Sequence, residues 1–116
     1  MTRILLPAAI AVALFGLSGI VHADAPATPI VSLTLKSHVF VPASLTVPPG
    51  VKVRINLSNL DGATEEFDSH DLKIEQLVTP HGRTSFVIGP LSPGTYTFMG
   101  EFHPDTAQGR IIVKEH

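Results

Sequence analysis

Between residues 96 and 109 the sequence reads YTFMGEFHPDTAQG. It places a thioether (Met99), two carboxylates (Glu101 and Asp105) and an imidazole (His103) within one short segment. Sulfur, nitrogen and oxygen donors gathered between two strand-like stretches suit one chemistry above others, the holding of a metal ion. A thioether suits Cu(I), imidazole suits copper, zinc or iron, and carboxylates suit harder ions. The imidazole at His103 is followed by Pro104, which stiffens the chain beside it.

Further donors lie upstream. The segment EEFDSHD, residues 65–71, offers Glu66 and His70. Successive side chains of an extended chain point to opposite faces, so Glu65 and Glu66 cannot easily serve one ion together. Asp68 and Asp71 flank His70 and would favour its charged form if no metal were bound. His38 has a parity opposite to that of the apolar Val31, Leu33 and Leu35. Met99 alternates with Tyr96 and Phe98, which claim the core-facing side, so a bend at Gly100 would be needed to re-aim it. Glu101 and Asp105 are hard donors beside His103 or loop carboxylates with a capping role. His81 reads as a turn residue and His116 as a terminal one.

Some chemistry is excluded. The chain has no cysteine, so neither a thiolate site nor a disulfide can form. No Ser-His-Asp or Cys-His arrangement is legible, and no glycine-rich phosphate loop occurs. No hydrolytic or transferase motif is present; whether the protein is an enzyme is left open by the sequence.

The elements that must position these donors begin after a leader. Arg3, an apolar run from Ile4 to Ile20, and the small residues Val21 and Ala23 match a secretory signal peptide. Cleavage is expected between Ala23 and Asp24, giving a signal peptide over 1–23, one domain over 24–116 and a periplasmic location. All ten acidic residues lie in that domain, as do all the basic ones except Arg3. The domain is thus mildly acidic, with no basic patch for nucleic acid.

From Val31 onward the apolar period is two: Val31, Leu33 and Leu35; Leu45 and Val47; Val51, Val53, Ile55 and Leu57. The stretch SNLDGATEEFDSHD reads as a polar loop. LKIEQLV, RTSFVIG, TYTFMG and GRIIVKE read as further strands, separated by TPHG, PLSPG and the donor loop. About seven short strands with no sustained helical period predict an all-β Greek-key sandwich or barrel.

FVPASLTVPPGVKVRINLSNLDG, then an acidic and histidine-bearing segment, then GPLSPGTYTFMGEFHPDTAQGRIIV, resembles the cupredoxin fold over nearly all of the domain. Within it, EEFDSHDLK and FHPDTAQG resemble the cysteine-free cupredoxin-like proteins of bacterial ferrous-iron uptake. Laid on the blue-copper loop pattern Tyr-x-Phe-x-Cys-x-x-His, Tyr96 and Phe98 put Gly100 at the cysteine and His103 at the histidine; the axial methionine falls near Gln108. A blue-copper electron carrier of the usual kind is therefore excluded. The resemblance implies Glu66, a Glu just before an aromatic residue, as a ligand, with His70 its rival. It also raises His38, through its His-x-Phe-x-Pro stretch. Gly100, Glu66, His38 and His103 are expected at one pole of the sandwich.

The resemblance further implies copper as the bound metal and iron as a possible substrate. An inner-membrane iron permease and a periplasmic metal-binding protein would be the partners. The protein would help oxidise Fe(II) for delivery to the permease. The alternatives are a copper chaperone or buffer, and a metal-free module that docks to a permease.

Overall fold

The structure is a computed structural model that describes residues 27–115. The expected signal peptide lies outside the described residues. Among those described there is no helix; nine strands form two sheets. They are β1 (Ile30–Lys36), β2 (Val39–Val41), β3 (Ser44–Val47), β4 (Val53–Asn59), β5 (Glu65–Ser69), β6 (Ile74–Val78), β7 (Arg83–Ile88), β8 (Gly94–Gly100) and β9 (Gln108–Val113).

One sheet runs β2-β1-β4-β7 and the other β3-β9-β8-β5-β6. The β1–β4 and β3–β9 pairings are parallel and the others antiparallel. The all-β sandwich expected from the period-two pattern is present. The strand count is nine rather than about seven, because β2 and β5 were not read as strands. β2 is only three residues long. β5 lies inside the stretch read as a polar loop, and three of its five residues are ionisable. Pairing on both sides, to β6 and β8, makes it a strand regardless of its polarity.

The core fills the space between the sheets. Leu33, Leu35, Ile55 and Leu57 of β1 and β4 face Phe67, Phe98 and Ile111 of the second sheet, all buried. Toward one end the core is aromatic. Phe40 of β2 meets Phe98 of β8 edge to face, with centroids 5.1 Å apart, and Phe98 stacks on Phe67 of β5 at 4.7 Å. Such rings bury large apolar areas and prefer offset or edge-on contact. Each of the three lies two residues from a position at the same end that the polar cluster uses: Phe40 from His38, Phe67 from Glu65, and Phe98 from Gly100, against which the Glu65 carboxyl packs. The aromatic cluster therefore fixes the backbone on which the polar end is built.

Candidate metal centre

Three chain segments converge on that end. The β1–β2 hairpin has a two-residue turn, Ser37–His38, between the paired residues Lys36 and Val39. Both turn residues have positive φ, 54° and 60°, the pattern of a type I′ turn, which matches the twist of the flanking strands. It carries His38. β5 begins with Glu65, whose side chain shares the inward face with Phe67 and Ser69. The β8–β9 loop carries His103, held by a compact set of backbone bonds: His103 N–H donates to the Gly100 carbonyl at 3.1 Å, and Ala107 N–H to the His103 carbonyl at 2.8 Å.

The side chains meet closely. His103 Nδ1 lies 2.6 Å from Glu65 Oε2. The imidazoles of His38 and His103 stack, with centroids 3.6 Å apart and planes 12° from parallel. One donor atom from each of His38, Glu65 and His103 falls within 4.8 Å of the others. Glu65 is only 1 % exposed. A buried carboxylate is costly unless its lone pairs are used, and here they are. Oε1 accepts the backbone N–H groups of Glu66 (3.0 Å) and Phe102 (2.8 Å), leaving Oε2 to face the imidazole. Both histidines keep one side toward solvent, at 41 % and 30 % side-chain exposure.

Gly100 explains how the carboxylate fits. A Cβ built there would lie 2.7 Å from Glu65 Cδ, 2.8 Å from Glu65 Oε2 and 2.7 Å from the Ala107 Cβ. The space that a side chain at position 100 would claim is filled by the carboxyl group of Glu65. At the position matching the cysteine of a blue-copper loop, this chain has a glycine and brings in an oxygen anion from a neighbouring strand.

Asp61, in the β4–β5 loop, completes the end. Its Oδ1 accepts the N–H of Ser37 at 2.7 Å and its Oδ2 that of His38 at 2.9 Å. Burial pushes its carboxyl up, but the N–H bonds from His38 and Ser37 and the charge of the two imidazoles outweigh this and hold it below the usual aspartate range. The loop is itself pinned by buried Asn59, whose Nδ2 donates to the Ala63 and Thr79 carbonyls and whose Oδ1 accepts the N–H of Asp61.

The sequence candidates thus separate. His38 and His103 come together as expected. Glu66 does not join them: it points outward from β5, and its carboxylate groups with those of Asp68 and Glu101. Glu65, set aside in favour of Glu66, is the carboxylate beside His103. The missed signal was parity. Phe67 must face the core, so the residue two before it faces inward too, but only if the segment is recognised as a strand.

Met99 pairs in register with Asp68 and lines a shallow groove of about 260 Å³ with His70, Thr97 and Gln108, on the outer face of the second sheet. No bend at Gly100 brings its sulfur to His103. His70 is exposed in the β5–β6 turn, Glu101 belongs to the outer carboxylates, and Asp105 is exposed and joins neither group. Burial, followed by repulsion from Glu75, Asp68, Glu101 and Glu65, raises the Glu66 carboxyl above the ordinary glutamate range.

Known structures share this architecture. The metal-binding domain of the Cu(I)-exporting P-type ATPase CopA of Streptococcus pneumoniae D39, solved with Cu(I), superposes with a TM-score of 0.68 at 16 % identity, covering 86 % of this chain and 100 % of that one. Auracyanin A, a blue copper protein of Chloroflexus aurantiacus, gives 0.65 at 14 % identity over 76 % of this chain and 100 % of that one. A purple cupredoxin of Nitrosopumilus maritimus gives 0.55 at 18 % identity, covering 72 % and 98 %. These likenesses establish the fold. Two of these proteins are described with copper; this chain, having no cysteine, lacks the usual ligand set. In sequence, an uncharacterized protein of Rickettsia prowazekii (strain Madrid E) is 47 % identical over 85 residues, which is 73 % of this chain and 68 % of that protein. The family model described as a cupredoxin-like domain matches residues 7–113, and the chain belongs to that family.

Proposed function

We propose that the protein is a periplasmic copper-binding protein whose ligands are His38, Glu65 and His103, and that it serves ferrous-iron uptake. The observation that carries the copper reading is the convergence of two imidazoles and one buried, fully hydrogen-bonded carboxylate at one end of a cupredoxin-like sandwich. Two nitrogens and one oxygen fit Cu(II) better than Cu(I), which favours soft sulfur. The only sulfur in the described residues, Met99, lies on the outer face. This weighs against a Cu(I) buffer or chaperone.

Bound copper would supply a one-electron couple. The chain's own contribution is a solvent-accessible pair of imidazole edges with a fixed anion behind them. Fe(II), as the substrate, could approach from the open side. The role in iron uptake, with an inner-membrane permease and a periplasmic metal-binding protein as partners, rests on the resemblance of EEFDSHDLK and FHPDTAQG to the cysteine-free iron-uptake proteins. A module that merely docks to a permease would have no use for the three converging donors.

Competition titration of the exported, metal-stripped protein with Cu(I), Cu(II), Fe(II) and Mn(II) tests the reading. One Cu(II) should bind per chain and Cu(I) should bind more weakly. The Cu(II) form should show only weak d–d absorption, since no thiolate is present to give an intense visible band. An absence of Cu(II) binding, or an intense blue colour, overturns it.

A further inference from the structure

We propose that Asp61 is the positioning residue of this centre: its carboxylate holds the Ser37–His38 turn in the left-handed conformation that aims His38 at His103. The inference rests on the reading of His38 as a ligand, but its first test needs no metal.

The argument starts at the turn. Residues with a Cβ are disfavoured at positive φ, and glycine or asparagine normally fills such turns. Here two successive non-glycine residues, Ser37 and His38, adopt φ of 54° and 60°. Such backbone persists only where its surroundings over-determine it. The surroundings are visible. One carboxylate, that of Asp61, takes both turn N–H groups, at 2.7 and 2.9 Å, one on each oxygen. Hydrogen bonds to an ionised acceptor are about twice as strong as neutral ones. Asp61 is placed by Asn59, buried at 1 % exposure and making three hydrogen bonds within the β4–β5 loop and to Thr79.

The link is therefore continuous from the core end of β4, through Asp61, to the backbone of His38. The side-chain approach of Asp61 Oδ2 to His38 Nδ1, 3.5 Å, is too long for a hydrogen bond. Asp61 acts on the histidine through its backbone. Two further restraints act on this end of the hairpin: the Lys36–Val39 pairing, which leaves two residues to close the turn, and Phe40, which anchors β2 in the core. Asp61 is the side chain that bonds the turn's own N–H groups.

The test compares Asp61→Ala, Ser37→Gly and the double variant with the full exported protein. In the metal-free protein, NMR should show the His38 and His103 ring protons shifted by each other's ring current. Asp61→Ala should remove that shift while the Phe40 and Phe98 signals stay in place. Ser37→Gly, which accepts positive φ without a clash, should restore much of it in the double variant. With Cu(II), Asp61→Ala should lower affinity by roughly tenfold or more, about 1.4 kcal/mol per tenfold, and the double variant should regain most of the loss. Unchanged ring shifts in Asp61→Ala overturn the inference whether or not copper binds. A loss that Ser37→Gly fails to rescue also overturns it, because Asp61 would then act by some route other than the turn. If the wild type binds no Cu(II) yet its ring shifts depend on Asp61, the metal reading falls and the positioning role stands.

Discussion

Glu65 and Glu66 are neighbours in sequence and opposites in circumstance. Glu65 turns inward, is almost wholly buried, accepts two backbone N–H groups and faces an imidazole. Glu66 turns outward among Asp68, Glu75 and Glu101, and its carboxyl is harder to ionise for that reason, after the cost of its own burial. One carboxylate sits in a site built for an anion; the other sits in a field of like charge. The difference comes from a single step along a strand. It teaches that a count of acidic residues near a histidine says little, whereas the satisfaction of each oxygen says a great deal.

The sharpest way to break this contrast is to remove one residue from each group. His103→Ala should weaken Cu(II) binding by about a hundredfold or more, since each tenfold is only about 1.4 kcal/mol and a ligand contributes several. Glu66→Ala should leave binding nearly unchanged. Competition titration of both variants decides it, and equal losses would draw the outer carboxylates into the centre.

A smaller effect is expected from Gly100→Ala. The added methyl meets the Glu65 carboxyl and Ala107 at distances real Cβ atoms do not tolerate, and overpacking of this kind costs about 1–3 kcal/mol. Denaturant unfolding should show a lower midpoint, and copper affinity should fall with it. An unchanged midpoint would mean that the carboxyl can swing aside at little cost.

The smallest effect concerns the outer group. A carboxyl whose folded pKa is raised binds protons more readily in the native state, so its contribution to stability is present at low pH and is lost as pH rises through that raised value. Glu66→Gln removes the ionisation. The variant should melt slightly higher than wild type at neutral pH, and the gain should vanish below roughly pH 4, where the glutamate is protonated in both states. A lower melting temperature at neutral pH would show that Glu66 makes a favourable contact that the repulsion conceals.

Much of this was legible beforehand, and the gaps have physical causes. The alternation of Val53, Ile55 and Leu57 announced β4, because one face of that strand is apolar and the other is not. β5 was hidden because its inward residues are Glu65, Phe67 and Ser69, only one of them apolar. Its strand character comes from pairing with β6 and β8, and pairing is a tertiary fact. His38 and His103 could be nominated from their places beside a hairpin and in the β8–β9 loop. Asp61 could not, since its importance lies in two backbone N–H groups more than twenty residues upstream.

The three donors also belong to different sheets. His38 hangs from the turn of the first, while Glu65 and His103 belong to the second. An ion held by all three would act as a cross-link between the layers and would close long stretches of chain, which is where such clips offset the most loop-closure entropy. In a domain without cysteine this is the available substitute for a disulfide, and it differs from one in two respects. Thiol reductants would not undo it. Its strength would follow the free metal concentration, adding about 2.7 kcal/mol of stability when the ion stands at a hundred times its dissociation constant. The protein's resistance to unfolding would then rise and fall with the copper content of its surroundings.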